Sequence, residues 1–462
     1  MSGNLSASEI RPQTDTERRN LLKAFVASLS GTSLEWYDFA LFGAVTGTVF
    51  NKLFFEGSDP SVDMIKAFMI YGAGYVARPI GGIFFGRLGD VIGRKKVLVW
   101  TLLLIGIATA VIGILPTYAT AGVWAPIMLV AMRFLQGVGV GGEWGGAVLL
   151  SSEFARPGTR GLWASAAQTG VPLGSFLANI LVLGMTATMS QEVFVAWGWR
   201  LAFGLSLILV GFGLWIRHKL EETPVFQRIA ERGEAPKAPV TEVLRTQLRP
   251  LVGATLVRFG PDILYAFFAV YVITWLQSGP AKLTYAQAIT CTMTGAFLQI
   301  FIMPLAGWIS DRIERKKLYA FAALCAAVWI YAFISLLQTR SFMLGVTGVI
   351  IGLIIHCFMY APQAAHIAEQ FHARLRYTGS SLAYTFAGVL GGGLAPTMFA
   401  WFDKGLKNDW LIAAWILGAQ VITLIGLWMG KRVIDEADLT LGTAETAKPS
   451  HSEESEPSLA RS

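Results

Sequence analysis

Twelve apolar runs of roughly twenty residues divide this chain, and that length decides what it can fold into, because about twenty helical residues span the roughly 30 Å of hydrocarbon in a bilayer. The runs lie near 24–50, 63–85, 97–116, 122–149, 161–186, 196–216, 250–277, 284–306, 318–338, 341–363, 377–402 and 409–430. They are continuous rather than alternating, which argues against a membrane barrel. The first run is too long for a signal peptide, carries Glu35 and Asp38, and has no small-residue cleavage pattern, so it is expected to remain as the first helix. With 54% hydrophobic and only 15% charged residues, the 462-residue chain has the makeup of helices packed in lipid.

Charged punctuation interrupts these runs twice in nearly the same words. "GRLGDVIGRKK" at 86–96 returns as "GWISDRIERKK" at 307–317, which is 307 − 86 = 221 positions later, after the second run of each half. A tandem duplication follows. The expected fold is an all-α membrane protein, with twelve transmembrane helices in two pseudo-symmetric six-helix bundles around a central substrate path, as in rocking-type secondary transporters. The expected divisions are an N-terminal segment 1–23, a first bundle 24–217, a linker 218–249, a second bundle 250–430 and a disordered tail 431–462. In each loop the glycine permits a tight turn, the aspartate can face a neighbouring helix N-terminus, and the cations stay in water. Gly86, Asp90, Gly93 and Arg94, with Asp311 and Arg315 of the second copy and Glu153 beside "RPGTRG", are therefore the expected conformational latch. Glu314 stands where the first copy has Gly93, so the second copy is expected to be the weaker latch.

The net charge of +7 is distributed by loop. Arg11, Arg18, Arg19 and Lys23 precede the first run, and the two repeated loops hold eight more cations, while the opposite loops are poor in them. The positive-inside rule puts both termini and the repeated loops in the cytoplasm, and no nucleic-acid partner is implied. Cys291, Cys325 and Cys357 all fall inside apolar runs and suggest neither a disulfide framework nor a metal cluster. No nucleophile–base set or metal motif marks an enzyme, and no catalytic residue or bound cofactor is expected.

The loop "GRLGDVIGRKK" resembles the loop signature of the major facilitator superfamily, and "RFLQG" at 133–137 resembles its helix-four signature. "LEWYDFALFG", "ARPIGG", "GVGVGGEWGGA", "GWR" at 198–200 and "LEETPVF" resemble the metabolite:proton symporter branch, especially shikimate-permease-like members, over most of residues 25–430. The resemblance implies proton-coupled uptake of a small organic acid or zwitterion across a bacterial cytoplasmic membrane, with the proton as coupling ion, lipid as surroundings and a single chain as the working unit. The branch includes carriers of dicarboxylates, citrate, shikimate, α-ketoglutarate and proline or betaine. The residues after Lys431 lack the sustained heptads of the osmosensing proline/betaine carriers, which disfavours that substrate. A passive facilitator and an exporter remain as alternatives.

Ionisable residues inside the apolar runs are the functional candidates, because a charge in hydrocarbon costs at least about 2.5–3.5 kcal/mol unless paired or wet. Glu35 and Asp38 share one face of the first helix, at a depth compatible with Arg133 in the fourth, so a proton-opened carboxylate–guanidinium pair is expected, with a static packing pair as the alternative. Asp38 is favoured as the proton carrier because its shorter side chain keeps the proton near the helix axis. Arg133 is also a candidate for gripping a substrate carboxylate. Glu143, about 15 Å further along the same helix, is a candidate proton exit or a structural partner of loop arginines, and Trp144 beside it is a candidate substrate contact. In the second half, Arg258, Asp262 and Tyr265 follow one another at helical-turn spacing and suggest an anion clamp, with an internal salt bridge near the cytoplasmic mouth as the alternative. Gln168, His356, Tyr360 and Gln363 are candidate hydrogen-bonding residues, while Arg78, ahead of Pro79, is expected to be structural.

Overall fold

The computed structural model describes residues 15–55, 60–156, 158–218, 222, 227, 231, 238–431 and 433. Twelve long helices organise them. Helix α1 runs Asp15–Val45 and continues through a π turn, Thr46–Phe50, to Asn51–Leu53. Helix α2 comes in two pieces, Pro60–Val76 and Arg78–Ile92. There follow α3 (Arg94–Ile114), α4 (Trp124–Glu153), α5 (Arg160–Thr188) and α6 (Gln191–His218). The second half comprises α7 (Leu248–Ser278), α8 (Tyr285–Ser310), α9 (Arg315–Leu337), α10 (Phe342–Ala368), α11 (Ala373–Gly405) and α12 (Trp410–Met429).

The twelve apolar runs thus become twelve helices, several of them longer than expected: α1 starts at Asp15, inside the segment expected to precede the bundle, and α2 continues to Ile92, through most of the first charged stretch. Among the described residues, ten helices are long and apolar enough to cross a membrane by composition alone. Helices α1 and α2 fall short for physical reasons. The first carries a buried polar face with Ser28, Thr32, Glu35 and Asp38, and the second is interrupted at Ala77, ahead of Arg78. Of the expected linker, Pro239–Thr246 forms a short helix and most of 219–237 lies outside the described residues, as do residues 1–14 and nearly all of the expected tail.

Packing repeats with the sequence. Helix α1 lies on α5 as α7 lies on α11, α2 on α4 as α8 on α10, and α3 on α6 as α9 on α12. Between the halves, α2 packs on α11 and α8 on α5, the same exchange made twice. Even the π turns correspond: 46 + 221 = 267 carries the turn of α1 onto the π segment Ala266–Tyr271 of α7. Large apolar side chains such as Ile114, Ile208, Phe321, Val328 and Trp428 point outward, while Glu35, Arg78, Arg133 and Arg258 are all at most 1% exposed. That inversion of the soluble pattern is what hydrocarbon around the bundle requires.

The crossing of α2 over α4 is the closest of these contacts and depends on the glycine series in α4. A Cβ at Gly141 would overlap the carbonyl oxygen of Arg78, and one at Gly137 would overlap that of Gly74. Small residues let the two backbones touch and thereby set the position of the Arg78 side chain. Gly204 of α6, in contrast, faces open space. Gly141→Ala is expected to lower the thermal unfolding midpoint of the purified protein, consistent with an overpacking cost of about 1–3 kcal/mol. Gly204→Ala should leave it unchanged or raise it, because alanine is the better helix former by about 1 kcal/mol. Differential scanning fluorimetry of the two variants in one detergent checks the contrast.

Candidate functional site

Between the two halves lies a small cavity, with room for about one water molecule, lined by Trp36 of α1, Tyr75 of α2 and Asp262, Tyr265, His356 and Tyr360 of α7 and α10, with Val171 and Gly392 between them. Two guanidinium groups flank it. Arg78 lies over the ring of Tyr75, 3.8 Å from its centroid, with a terminal nitrogen 3.9 Å from Glu35 Oε1. Arg258 donates from Nε to Asp262 Oδ2 at 2.8 Å and lies over the ring of Tyr384 at 3.4 Å. No hydrogen-bond partner reaches the three guanidinium nitrogens of Arg78, both carboxylate oxygens of Glu35, or Nη1 of Arg258. Buried polar groups are nearly always satisfied, so such a cluster marks a place where something else binds or moves.

The expected residues assemble around this point in part. Tyr265 lines the cavity and shares a 2.6 Å hydrogen bond with Ser175 of α5. His356 stacks on Tyr360 with centroids 4.8 Å apart and meets Gln299 through Nδ1 at 3.2 Å. Trp144 stacks on Tyr384 at 4.2 Å and donates its indole N–H to Gln168, whose amide donates in turn to the Tyr360 carbonyl across the two halves. Gln363 is buried, with its side-chain amide unpartnered, but does not line the cavity.

Two expectations need correction. Arg133 lies outside the cavity lining and forms no ion pair with Glu35 or Asp38 among the described residues. It sits over the rings of Phe39 and Phe42, 4.2 and 4.1 Å from their centroids, and donates to Gln136 at 2.8 Å. Gln136 donates to Thr109, which donates to Asp38, so the expected direct pair is a relay through two neutral side chains. The reason is angular: Glu35 and Asp38 are three residues apart, about 60° short of a full turn, and that offset is enough to face Glu35 towards Arg78 of α2 and Asp38 towards Thr109 of α3. Glu143 is buried and paired with Arg217 near the end of α6, in line with the structural of its two expected roles, and Arg217 also donates to the Leu98 carbonyl. Arg78, expected to be structural, lies over the ring of Tyr75 in the cavity wall. Its position inside an apolar run was legible, but the direction in which it points was not.

At the end of the bundle that carries the repeated loops, each repeated aspartate receives a helix N-terminus of the opposite half. Asp90 accepts from the Thr378 backbone N–H at 3.2 Å and from its hydroxyl, near the start of α11. Asp311 accepts from the backbone N–H groups of Gly161 and Leu162 at 2.8 and 2.9 Å, at the start of α5. These N–H groups are ones a helix cannot satisfy itself, and the helix dipole adds to their attraction for a carboxylate. Asp311 also pairs with Arg315 at 2.7 Å, and Arg315 pairs with Glu369. The second copy is therefore fully formed, contrary to the expectation that Glu314 weakens it. Gly93 occupies φ +106°, where a side chain is strained, whereas Glu314 takes an ordinary φ of −54° and points into solvent. Gly86 faces Thr378 of α11, and Glu153 is buried at the end of α4. The side chain of Arg94 lies outside the described residues. At the other end of the bundle, the Tyr285 hydroxyl donates to the Ala44 carbonyl at 3.0 Å, and Phe68 meets Tyr271 with centroids 5.7 Å apart. Contacts between the halves thus lie on both sides of the cavity.

Comparison with known proteins agrees with this architecture. A family model described as "Sugar (and other) transporter" matches residues 23–254. The inner membrane metabolite transport protein YhjE of Escherichia coli (strain K12) is 36% identical over 409 residues, covering 87% of this chain and 93% of its own length. The chain belongs to the major facilitator superfamily. The shikimate transporter of the same organism is 33% identical over 408 residues (87% of this chain, 92% of that one). A proline/betaine transporter of Salmonella typhimurium is 33% identical over 443 residues (92% and 86%). The solved structure of the proton:xylose symporter XylE bound to 6-bromo-6-deoxy-D-glucose superposes with a TM-score of 0.69 at 17% identity, over 89% of this chain and 95% of that one. The protein is a multi-pass membrane transporter of metabolites, not an enzyme, with the twelve-helix fold of its superfamily.

The Arg217–Glu143 pair makes this geometry testable without a substrate. Removing one partner of a buried ion pair leaves an uncompensated charge and costs roughly 3–5 kcal/mol, whereas replacing both can be close to neutral. Arg217→Leu alone should lower the unfolding midpoint strongly, and Arg217→Leu combined with Glu143→Leu should recover most of the loss in the same thermal melt.

Proposed function

We propose that this superfamily member is a proton-coupled symporter that imports a small carboxylate-bearing metabolite by alternating access across a bacterial inner membrane, with both termini in the cytoplasm. The observation that carries this reading is the pair of buried guanidiniums, one from each half, flanking a single cavity with unpartnered N–H groups. Guanidinium groups suit carboxylates because their N–H donors match the spacing of the two oxygens. A substrate that engages Arg78 and Arg258 together joins the halves through its own charge, so binding favours the state in which they approach. The caps on Asp90 and Asp311 are the contacts that must open when the cytoplasmic side does, and the cations of the repeated loops assign that side. The relatives named for shikimate and for proline/betaine, compounds that each carry a carboxylate, are consistent with this reading.

Coupling follows from competition. Glu35 and the substrate carboxylate both seek Arg78, and a proton on Glu35 removes the competitor. Asp38, favoured on side-chain length, is held by Thr109 away from either flanking guanidinium, so we place the proton on Glu35. Proton binding and substrate binding then assist each other at one guanidinium.

Two outcomes follow. Organic acids should raise the unfolding midpoint of the purified protein by mass action, whereas neutral polyols should not. Arg78→Gln or Arg258→Gln should weaken that binding about 10- to 100-fold, the loss of a charge-assisted hydrogen bond worth roughly 1.5–3 kcal/mol. A response confined to uncharged polyols would remove the carboxylate reading. In reconstituted vesicles with an imposed pH gradient, Glu35→Gln should abolish uphill accumulation while counterflow exchange persists, and Asp38→Asn should retain part of the accumulation. Full gradient-driven accumulation by Glu35→Gln would exclude Glu35 as the proton site.

A further inference from the structure

The walls of the central cavity are mostly rings. Trp36 and Tyr75 come from the first half, and Tyr265, His356 and Tyr360 from the second. Trp36 meets Tyr265 edge-on, with centroids 5.2 Å apart at 87°, and Tyr265 continues to His356 at 5.0 Å and 40°. A flexible acyclic acid needs none of this, since charge and hydrogen bonds alone would hold it. Flat walls favour a flat ligand, because aromatic groups gain from offset-stacked and edge-to-face contacts with another ring.

Building on the carboxylate reading above, we propose that the substrate is a small planar-ring carboxylate, its ring held among Trp36, Tyr75, Tyr265 and Tyr360 and its carboxylate taken by Arg78 or Arg258. The indole N–H of Trp36 and the hydroxyl of Tyr360 are buried without hydrogen-bond partners, so a hydroxyl or oxo substituent on the ring would find a donor. Ring-lined sites also receive quaternary ammonium groups. Here the protein's own cations occupy that position: Arg78 lies over Tyr75 and Arg258 over Tyr384, and the acids Glu35 and Asp262 each stand beside one of them. A ligand ammonium would enter between two guanidiniums, one of which already holds the Asp262 carboxylate.

The test is a binding panel on the intact purified protein, read by thermal shift and by quenching of tryptophan fluorescence, with benzoate, 4-hydroxybenzoate, hexanoate, succinate and glycine betaine as probes. The two ring acids should bind at least about tenfold more tightly than hexanoate or succinate, with 4-hydroxybenzoate ahead of benzoate. Tyr265→Leu should shrink the ring preference to about twofold while carboxylate binding persists. If hexanoate or succinate binds as tightly as the ring acids, the ring proposal fails and the carboxylate reading stands. Glycine betaine as the tightest ligand would overturn the ring proposal in favour of a zwitterion. Silence from every carboxylate would overturn both readings. The wild-type panel decides these outcomes even if Tyr265→Leu fails to fold.

Discussion

A guanidinium group cannot be left bare in hydrocarbon, and much of this structure can be understood as the means of keeping four of them inside a bundle. Arg78, Arg133, Arg217 and Arg258 are at most 2% exposed, and each is handled differently. Arg217 has a full carboxylate partner in Glu143, and Arg258 has Asp262 at helical-turn spacing. Arg133 has ring faces and a neutral relay, and Arg78 has ring faces and a carboxylate too distant for a hydrogen bond. The first is the arrangement expected of structure, because a closely paired and hydrogen-bonded charge has little reason to move. The last is the arrangement expected of function, since a buried cation with unused donors favours whatever anion can reach it.

The glycine series of α4 serves the same constraint. By letting the backbone of α2 press against α4 at Arg78, it fixes the start of a long flexible side chain so that its head reaches the centre of the protein. The rings around that head do two things. They stabilise the cation through their faces, and they exclude water, which strengthens every charge interaction within the cavity. A site of this kind needs both halves of the chain. Tyr75 and Glu35 come from one and Asp262, Tyr384 and Tyr360 from the other, so rocking of the halves would both dismantle the cavity and expose its contents.

The contacts at the repeated loops show how duplication joins the two halves at one end of the bundle. Each half offers a carboxylate at the end of its second helix and a helix N-terminus at the start of its fifth, and the two halves exchange them. The exchange tolerates divergence because its chemistry uses backbone N–H groups, which every residue but proline carries. This is why the loss of glycine at 314 does not weaken the second contact. The turn there takes another path, and Asp311 still reaches α5.

Length, hydrophobicity and the 221-residue echo were enough to establish twelve membrane helices, a duplicated architecture and a short set of buried ionisable residues, because the cost of polar groups in lipid acts on each segment separately. The facing of an aspartate to a neighbouring helix N-terminus was legible in the loop for the same local reason. Which residues meet was not. Glu35 turning to Arg78, Asp38 reaching Arg133 only through Thr109 and Gln136, and Glu143 pairing with Arg217 all depend on how helices far apart in sequence rotate and cross. Rotation about a helix axis and the depth of a crossing are set by side-chain packing across the whole bundle, and a few tens of degrees redirect a charge from one neighbour to another. Only the tertiary structure could decide them.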